Sequence, residues 1–269
     1  MHAYLDAHPD IFMAVVKEPR HFDTDQEMKQ GWCIRERDHY EALFANTERY
    51  PVVGEASPTY LSSAIAANNI AEFNPNARIL IMLRHPVDYM YSLHRQYLSS
   101  SNEKVKEFSQ ALDLEPQRAL GRNLPKGAHF PMGVLYRHRA RFAEQVQRFI
   151  DAFGRSQVKV ILLEDLKDDP LHVYREVLAY LDIDTGFSPQ FDRYNVGESK
   201  HIRNTTLRRF LSQRKHMARL SQSVPSVVSK PIGSLLNLVL RESVDAKKPI
   251  DALLNQSLRE EFRPEICRL

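Results

Sequence analysis

The 269-residue sequence has little cysteine and no long apolar run. Its two cysteines, Cys33 and Cys267, lie far apart, which indicates a reducing compartment and no disulfide framework. No segment reaches the roughly 18 to 20 apolar residues that a membrane span needs. The first residues also lack the basic-then-apolar pattern of a secretory signal. We therefore expect a soluble, cytoplasmic protein without a transmembrane segment.

Glycine-rich phosphate loops and strong charge are absent as well. The nine glycines form neither G-x-x-x-x-G-K-[ST] nor G-x-G-x-x-G, so the sequence contains no backbone cradle for a phosphate. The net charge of +3 is too small to indicate nucleic acid, although it suits a small anionic ligand if the basic residues converge. The histidines show no metal-ligand spacing, and we expect no metal; the isolated ones are His138, His172, His201 and His216.

Apolar runs and helical patterns alternate along the chain. The runs predict strands over 11–16, 52–53, 78–83 and 158–163. Because their apolarity is continuous rather than alternating, we expect a parallel sheet that is covered on both faces. Helical spacing predicts helices over 87–97, 134–153 and 171–181. This order of elements is typical of an α/β fold with a doubly wound sheet.

Two segments depart from this alternation. Residues 99–131 are polar and predict a mobile excursion that carries one short helix. Residues 193–269 predict a helical C-terminal portion with basic clusters at Arg208-Arg209 and Arg214-Lys215. We expect both segments to belong to a single domain over 1–269.

The stretch ILIMLRHPVDYMYS places Arg84 at the end of a buried strand and Ser92 on the helix that follows. Ligands of open α/β sheets bind beyond the carboxyl ends of the strands, next to helix N-termini that favour anions. Arg84 could therefore bind a phosphate, with the Ser92 hydroxyl donating a further hydrogen bond. The alternative is an Arg84 ion pair with a nearby carboxylate and a solvent-facing serine. The residues alone leave both interpretations open.

Two further strand ends carry candidate residues. In KEPRHF, Glu18 follows the first strand and could take a proton from an attacking hydroxyl or amine if burial raised its pKa. His21 is a rival base, and a surface pair of Lys17 with Glu18 is the alternative. In GEASPTYL, Ser57 is a plausible cap for a helix start.

Six stretches, taken in order, carry a resemblance over nearly the whole chain. They are HPDIFMAVVKEPRHF, GEASPTYL, ILIMLRHPVDYMYS, GVLYRHRARFAEQVQRFIDAFGRSQVKVILLEDLKDDP, RYNVGESKHIRNTTLRRFL and LREEFRPEICRL. In this order they resemble the sulfotransferases that use 3'-phosphoadenylyl sulfate, specifically the bacterial and heparan-sulfate-type branch. The resemblance implies a P-loop-NTPase-like, three-layer fold with a central parallel sheet.

The resemblance also implies a reaction and its residues. The chain would transfer a sulfonate group from 3'-phosphoadenylyl sulfate to a hydroxyl or amine of a small-molecule, lipid or carbohydrate acceptor. Arg84 and Ser92 would hold the 3'-phosphate, Glu18 would be the catalytic base, and the basic loop with Lys200, His201 and Arg203 would close over the nucleotide. Where the heparan-sulfate-type branch has a lysine after the glutamate of GEASPTYL, this sequence has Ala56, so any contact by that lysine is absent.

The family's central strand and its K-x-G-T-[TS] loop, which wraps the 5'-phosphosulfate, do not occur in the sequence. The resemblance begins at Met1 on the helix that follows this loop. A fragment or an internal start methionine and a genuinely shortened protein both explain this. We expect the fragment, because removing a central strand would expose the backbone of its neighbours. We also expect slow or no turnover from the chain as written.

Two other function classes stay open at this point. One is a non-catalytic, degenerate sulfotransferase fold that binds a nucleotide or a partner. The other is a kinase-like nucleotide enzyme, against which the lack of a Walker-type aspartate after an apolar strand counts.

Overall fold

A computed structural model describes residues 1–28, 31, 33–126, 128–191 and 249–269, together with the backbone of residues 201–202 and 241–242. The chain divides into two compact units. The first consists of Met1–Asp192 and Ile250–Leu269, and the second of Arg193–Pro249. The single domain over 1–269 stays a prediction.

The strands of the first unit form two parallel pairs. They are β1 (Ile11–Met13), β2 (Val52–Gly54), β3 (Ile79–Leu83) and β4 (Val158–Leu162). Ile11 lies opposite Val52 in the β1–β2 pair, and Ile79 lies opposite Val158 in the β3–β4 pair. All the predicted strands are present, but β1 ends early because Val15 and Val16 are exposed. Within the described ranges the expected sheet is split, since β2 and β3 are not paired with each other.

Helices connect and cover these strands. Those before the segment 99–131 are α1 (His2–Asp6), α2 (Arg37–Glu41), α3 (Ala66–Phe73) and α4 (Pro86–Ser99). The later ones are α5 (Phe108–Asp113), α6 (Glu115–Ala119), α7 (Tyr136–Arg139), α8 (Phe142–Phe153), α9 (Leu163–Asp168), α10 (Pro170–Tyr180) and α11 (Ala252–Ile266). Single turns of 3-10 helix occur at Ala42–Phe44, Pro58–Ser62, Pro131–Val134 and Arg155–Gln157.

Local sequence signals explain several of these boundaries. Both α4 and α10 begin with proline, which has no N–H to leave unsatisfied in the first turn. The Asp169 carboxylate caps α10 by accepting the backbone N–H of His172 at 3.0 Å. At the end of α8, Gly154 has φ 79°, a conformation that glycine adopts without strain. The predicted helix over 134–153 is divided into α7 and α8.

Apolar clusters lie on both faces of the strands and make three layers. Val158 of β4 packs into a cluster with α3 and α8, whereas Ile161 of the same strand packs into a cluster with α1, α9 and α10. This follows from the alternation of side chains along a strand. A third cluster joins α4, α5 and α11 through Met90, Phe108 and Leu258. The predicted α/β architecture with parallel strands covered on both faces is confirmed.

Part of the segment 99–131 lies in the interior, although its composition is polar. It carries the two helices α5 and α6 rather than one. The Arg118 guanidinium donates two hydrogen bonds to the Glu103 carboxylate, at 2.7 and 2.9 Å, and both side chains are 1% exposed. The Tyr136 hydroxyl donates to the same carboxylate at 2.9 Å. The buried ion pair therefore links two parts of this segment, and the Tyr136 hydrogen bond joins it to the start of α7.

The described parts of residues 193–269 contain a helix and a short strand pair. The helix α11 lies within the predicted helical C-terminal portion over 193–269, which stays a prediction, and no strands were predicted there. In the second unit, β5 (His201–Ile202) pairs antiparallel with β6 (Arg241–Glu242). No helix in the ranges that the structure describes is long and apolar enough to cross a membrane.

The buried ion pair generates a stability prediction. Burial opposes the ionisation of Glu103, but the bonds from Arg118 and from backbone N–H groups hold its pKa below the ordinary value. Arg118→Met would leave this carboxylate buried without its cation, and we expect it to destabilise the chain by about 3–5 kcal/mol. Urea unfolding at pH 7, followed by circular dichroism, measures this loss.

The double variant Glu103→Leu with Arg118→Met removes both charges and should lose clearly less stability than Arg118→Met alone. Replacing the exposed Arg122 by Met is the matched control and should leave stability unchanged within about 0.5 kcal/mol. Equal losses in the single and double variants would contradict a role for the pair.

Candidate active site

Parallel pairing of β1 with β2 brings two loops to one edge of the strands. Met13 lies opposite Gly54, and the backbone N–H of Ala14 donates to the Gly54 carbonyl at 2.8 Å. The carboxyl ends of parallel strands lie at the same edge. Residues 17–23, here called the Glu18 loop, therefore lie beside residues 55–62, here called the Glu55 turn.

Glu18 sits in a conformation that few side chains adopt. Its φ is 55° and that of Arg20 is 53°, both in the left-handed region. Each such residue costs on the order of 1–3 kcal/mol, and such strain is concentrated at functional sites. The Glu18 carboxylate is paired with the Arg20 guanidinium, and its side chain is 41% exposed. The predicted base is therefore accessible and ion-paired rather than deeply buried.

Hydrogen bonds from two neighbouring segments hold the Glu18 loop. The backbone N–H of Arg20 donates to Ser57 Oγ at 3.1 Å, and that of His21 donates to Tyr60 Oη at 2.9 Å. From the other side, the Arg35 guanidinium donates to the His21 carbonyl at 3.2 Å. The strained backbone is thus fixed by partners that are distant in sequence.

His21, the rival base, is engaged elsewhere. Its Nδ1 lies 2.9 Å from the Ile34 carbonyl oxygen, and its ring stacks on Tyr40 with centroids 4.3 Å apart. A ring that is held by a backbone contact and an aromatic stack has a packing role, so this geometry favours Glu18 over His21 as the base.

Glu55 is the residue of this edge that the sequence did not single out as a proton acceptor. The Ser57 hydroxyl donates to Glu55 Oε2 at 3.0 Å, while Oε1 is buried without a hydrogen-bond partner in the described part of the chain. Burial raises the pKa of Glu55 to about 7, and the charges of Asp23 and Glu18 raise it further. The interactions with Tyr60 and Ser57 act in the opposite direction and lower it. A carboxyl group that titrates near neutrality therefore lies beside the loop.

Ser57 corrects a prediction about the turn. It occupies the N-cap position of the 3-10 helix Pro58–Ser62, but its side chain makes no capping hydrogen bond. The hydroxyl instead accepts from Arg20 and donates to Glu55. A tertiary contact has replaced the local cap that the sequence indicated.

Asp23 is the fully buried carboxylate at the same edge of the strands. Its side chain is 0% exposed, accepts from Arg35 Nη1 at 3.0 Å and accepts from the Thr59 hydroxyl at 2.5 Å. Burial raises the pKa of Asp23, against the bonds from Thr59 and Arg35. Asp23 thus ties the end of the Glu18 loop to the Glu55 turn.

The C-terminal part of α4 approaches this edge through Tyr97. Burial raises the pKa of Tyr97, and the charges of Arg139 and Glu18 both act on it. A Cβ atom at Gly133 would lie 2.5 Å from Tyr97 Oη, so a larger residue there would require the Tyr97 side chain to shift. Arg139 is buried and donates to Ser62 Oγ at 3.0 Å, at the end of the Glu55 turn. Helix α4 thus comes within electrostatic reach of the Glu18 loop.

Arg84 lies where the sequence predicts it, directly after β3 and before α4. It is half-buried, and its Nε atom is buried without a hydrogen-bond partner. Among the described residues the structure has no ion pair for Arg84, so the alternative of a strand-end ion pair finds no support there. Ser92 is exposed on α4. The other two predicted ligands, Lys200 and Arg203, lie outside the described residues.

A cavity of about 340 Å³ opens beside the Glu18 loop. It shares Gly31, Cys33 and Ile34 with a second cavity of about 770 Å³. Glu18, Arg20 and Lys17 supply charged groups to the first cavity, next to apolar surface from Val16, Pro19 and Ile34. Nowhere in the described ranges do three or more His, Cys, Asp or Glu side chains form a group that could hold a metal.

Two curated relatives are similar over part of their length. The chain is 22% identical over 184 residues to bifunctional heparan sulfate N-deacetylase/N-sulfotransferase 1 of Caenorhabditis briggsae, which covers 67% of this chain and 21% of that protein. It is 28% identical over 98 residues to human heparan sulfate glucosamine 3-O-sulfotransferase 6, covering 36% of this chain and 26% of that one. The chain thus spans about a fifth to a quarter of the length of these relatives.

A solved structure and a family model extend the comparison. The crystal structure of a sulfotransferase from Alicyclobacillus acidocaldarius is 31% identical, covers 80% of this chain and 84% of its own, and superimposes with a TM-score of 0.64. The model of the sulfotransferase family matches residues 1–188, which is more than half of the sequence. The chain belongs to the sulfotransferase family.

Proposed function

We propose that the chain transfers a sulfonate group from 3'-phosphoadenylyl sulfate to a hydroxyl or amine acceptor. The observation that carries the proposal is the family match over residues 1–188. The nucleotide supplies an activated sulfonate on a phosphosulfate bond. The acceptor oxygen or nitrogen attacks the sulfur in line, the bond from sulfur to the bridging phosphate oxygen breaks, and adenosine 3',5'-bisphosphate leaves.

Arg84 fits a phosphate ligand. Its buried Nε lacks a partner in the described part of the chain, and a guanidinium presents a planar fork to phosphate oxygens. It lies two residues before the start of α4, whose N-terminal N–H groups favour an anion. We therefore assign the 3'-phosphate to Arg84, with the exposed Ser92 hydroxyl as a further donor and with Lys200 and Arg203 as proposed contacts to the nucleotide.

Glu18 is the proposed base. It lines the cavity of about 340 Å³, and its half-exposed carboxylate is reachable from that cavity. In the proposed reaction Glu18 takes the proton of the acceptor hydroxyl or amine while the new bond to sulfur forms. Arg20, its ion-pair partner, places a cation directly beside this carboxylate.

For the acceptor we propose the carbohydrate class first. The two curated relatives carry heparan sulfate in their names, and the adjoining cavities give room for more than one sugar ring. Small-molecule and lipid acceptors are the alternatives. Both cysteines are free, in agreement with the predicted cytoplasmic location, which stays a prediction.

Binding of adenosine 3',5'-bisphosphate tests the nucleotide site. Arg84→Ala removes a charged donor to the 3'-phosphate, and we expect affinity to fall about 10- to 100-fold. Arg84→Lys keeps the positive charge but not the planar, forked guanidinium, and it should lose less affinity than Arg84→Ala. Arg78→Ala, at the opposite end of β3, is the matched control and should bind like the wild type. Isothermal calorimetry measures all four proteins.

Two results would count against this site. Equal binding by wild type and Arg84→Ala would remove Arg84 from the nucleotide site. A wild-type chain that is folded by circular dichroism and does not bind the bisphosphate would favour the non-catalytic module instead.

Glu18→Gln tests the base. The amide cannot accept the proton, so we expect kcat to fall about 10²- to 10⁴-fold, with calorimetric affinity for adenosine 3',5'-bisphosphate unchanged. Transfer of radiolabelled sulfonate to desulfated heparan sulfate is the assay. Glu72→Gln, at an exposed position of α3, is the control. Full activity of Glu18→Gln would show that another group takes the proton.

A further inference from the structure

Two backbone N–H groups of the Glu18 loop donate to hydroxyls of the Glu55 turn, whereas the Thr59 hydroxyl of the turn donates back to Asp23. The N–H of Arg20 donates to Ser57 Oγ at 3.1 Å, and Ser57 donates onward to Glu55 Oε2 at 3.0 Å. The N–H of His21 donates to Tyr60 Oη at 2.9 Å, and the Tyr60 hydroxyl lies close enough to the Glu55 carboxyl for each group to act on the pKa of the other. Each hydroxyl accepts from the loop and passes its one proton toward Glu55.

This pattern requires an acceptor at its end. An ionised carboxylate accepts only, whereas a protonated one must place its own proton on a partner. Oε1 of Glu55 has no such partner among the described residues. The ionised form of Glu55 therefore satisfies both hydroxyls, and hydrogen bonds to a charged acceptor are the stronger ones.

The loop needs this support because its backbone is strained. Glu18 and Arg20 both have positive φ, at 55° and 53°. The two amides that the hydroxyls hold belong to Arg20, the second of these strained residues, and to His21, which follows it. A loosened loop would relax toward ordinary φ values and move the Glu18 carboxylate away from the acceptor.

We propose that Glu55 is a positioning residue, which anchors the Ser57 and Tyr60 hydroxyls and through them holds Glu18 in place for the acceptor. The proposal rests on the sulfonate transfer proposed above. Glu55 does not act on the acceptor itself, because the lining of the cavity beside the loop includes Glu18 and Arg20 but not Glu55.

The titration of Glu55 makes the anchor depend on pH. The ionisable groups that face it are Glu18 and Asp23 from the loop, Tyr40 from α2 and Tyr60 from its own turn. Burial first, and then the two carboxylates, raise its pKa to about 7. Below that pH the anchor is protonated and the loop loosens; above it the loop is held.

The stability of the fold has the opposite pH dependence. The pKa of Glu55 rises from an ordinary 4.5 to about 7 on folding. The stability that this group contributes is therefore fully present below pH 4.5 and is lost as the pH rises through about 7. Ionisation of Glu55 therefore holds the loop but lowers the free energy of unfolding of the whole domain. Glutamine does not titrate, so Glu55→Gln should be at least as stable as the wild type at pH 8.

Amide hydrogen exchange tests the anchor without any substrate. In the wild type, protection of the Arg20 and His21 amides, corrected for intrinsic exchange, should be roughly tenfold greater at pH 8 than at pH 6. In Glu55→Gln this difference in protection between the two pH values should be lost, whereas in Glu72→Gln it should remain. Unchanged protection in the wild type across this range, or the same step in Glu55→Gln, would overturn the proposal.

Kinetics separate positioning from a merely structural role. In the assay with desulfated heparan sulfate, Glu55→Gln should lower kcat about tenfold at pH 8 and remove a wild-type decline in kcat near pH 7, with bisphosphate affinity unchanged. A variant that loses stability at pH 8 in parallel with activity would overturn the positioning role. The wild-type chain could also show greater amide protection at pH 8 than at pH 6 and yet neither bind the bisphosphate nor transfer sulfonate. This result would overturn the proposed function and support the anchor alone.

Discussion

The parallel pairing of β1 with β2 is the constraint on which the site depends. It sets the Glu18 loop and the Glu55 turn side by side, and a shift of one residue in this register would turn the side chains to the opposite face. Gly54 contributes to the fit, since a Cβ atom there would lie 3.3 Å from Met13 Sδ on the neighbouring strand. The strands are only three residues long, so the loops that follow them must supply much of their own order.

That order comes from side chains rather than from a sheet. A loop with two residues of positive φ cannot continue a regular ladder, and its N–H groups need other acceptors. Ser57 and Tyr60 provide them from one side, while Arg35 donates to the loop carbonyls from the other. In this loop, charged and hydroxyl side chains therefore satisfy the backbone hydrogen bonds that strand pairing satisfies in the core.

The sequence predicts the elements well and the site only in part. Continuous apolar runs identify all the strands of the first unit, and Arg84 is placed correctly because its position depends only on where β3 ends. The unusual pKa of Glu55 could not be predicted, because it depends on burial and on the charges of Glu18 and Asp23, which are distant in the sequence. The buried ion pair in the polar segment 99–131 could not be predicted for the same reason. A charged residue is buried only together with a partner of opposite charge, and the sequence alone does not identify that partner.

Two of the three carboxylates at this edge have an ion-pair partner in the part of the chain that the structure describes. Arg20 pairs with Glu18 and Arg35 pairs with Asp23, whereas among the described residues Glu55 accepts from the Ser57 hydroxyl and has no ion pair. An apolar side chain at position 55 would avoid the desolvation of a carboxylate, but it would leave the Ser57 and Tyr60 protons without their acceptor. A carboxylate that lowers the stability of the domain near neutral pH thus serves the loop beside it. These two requirements conflict at Glu55, which lies beside the strained loop that carries the proposed base, Glu18.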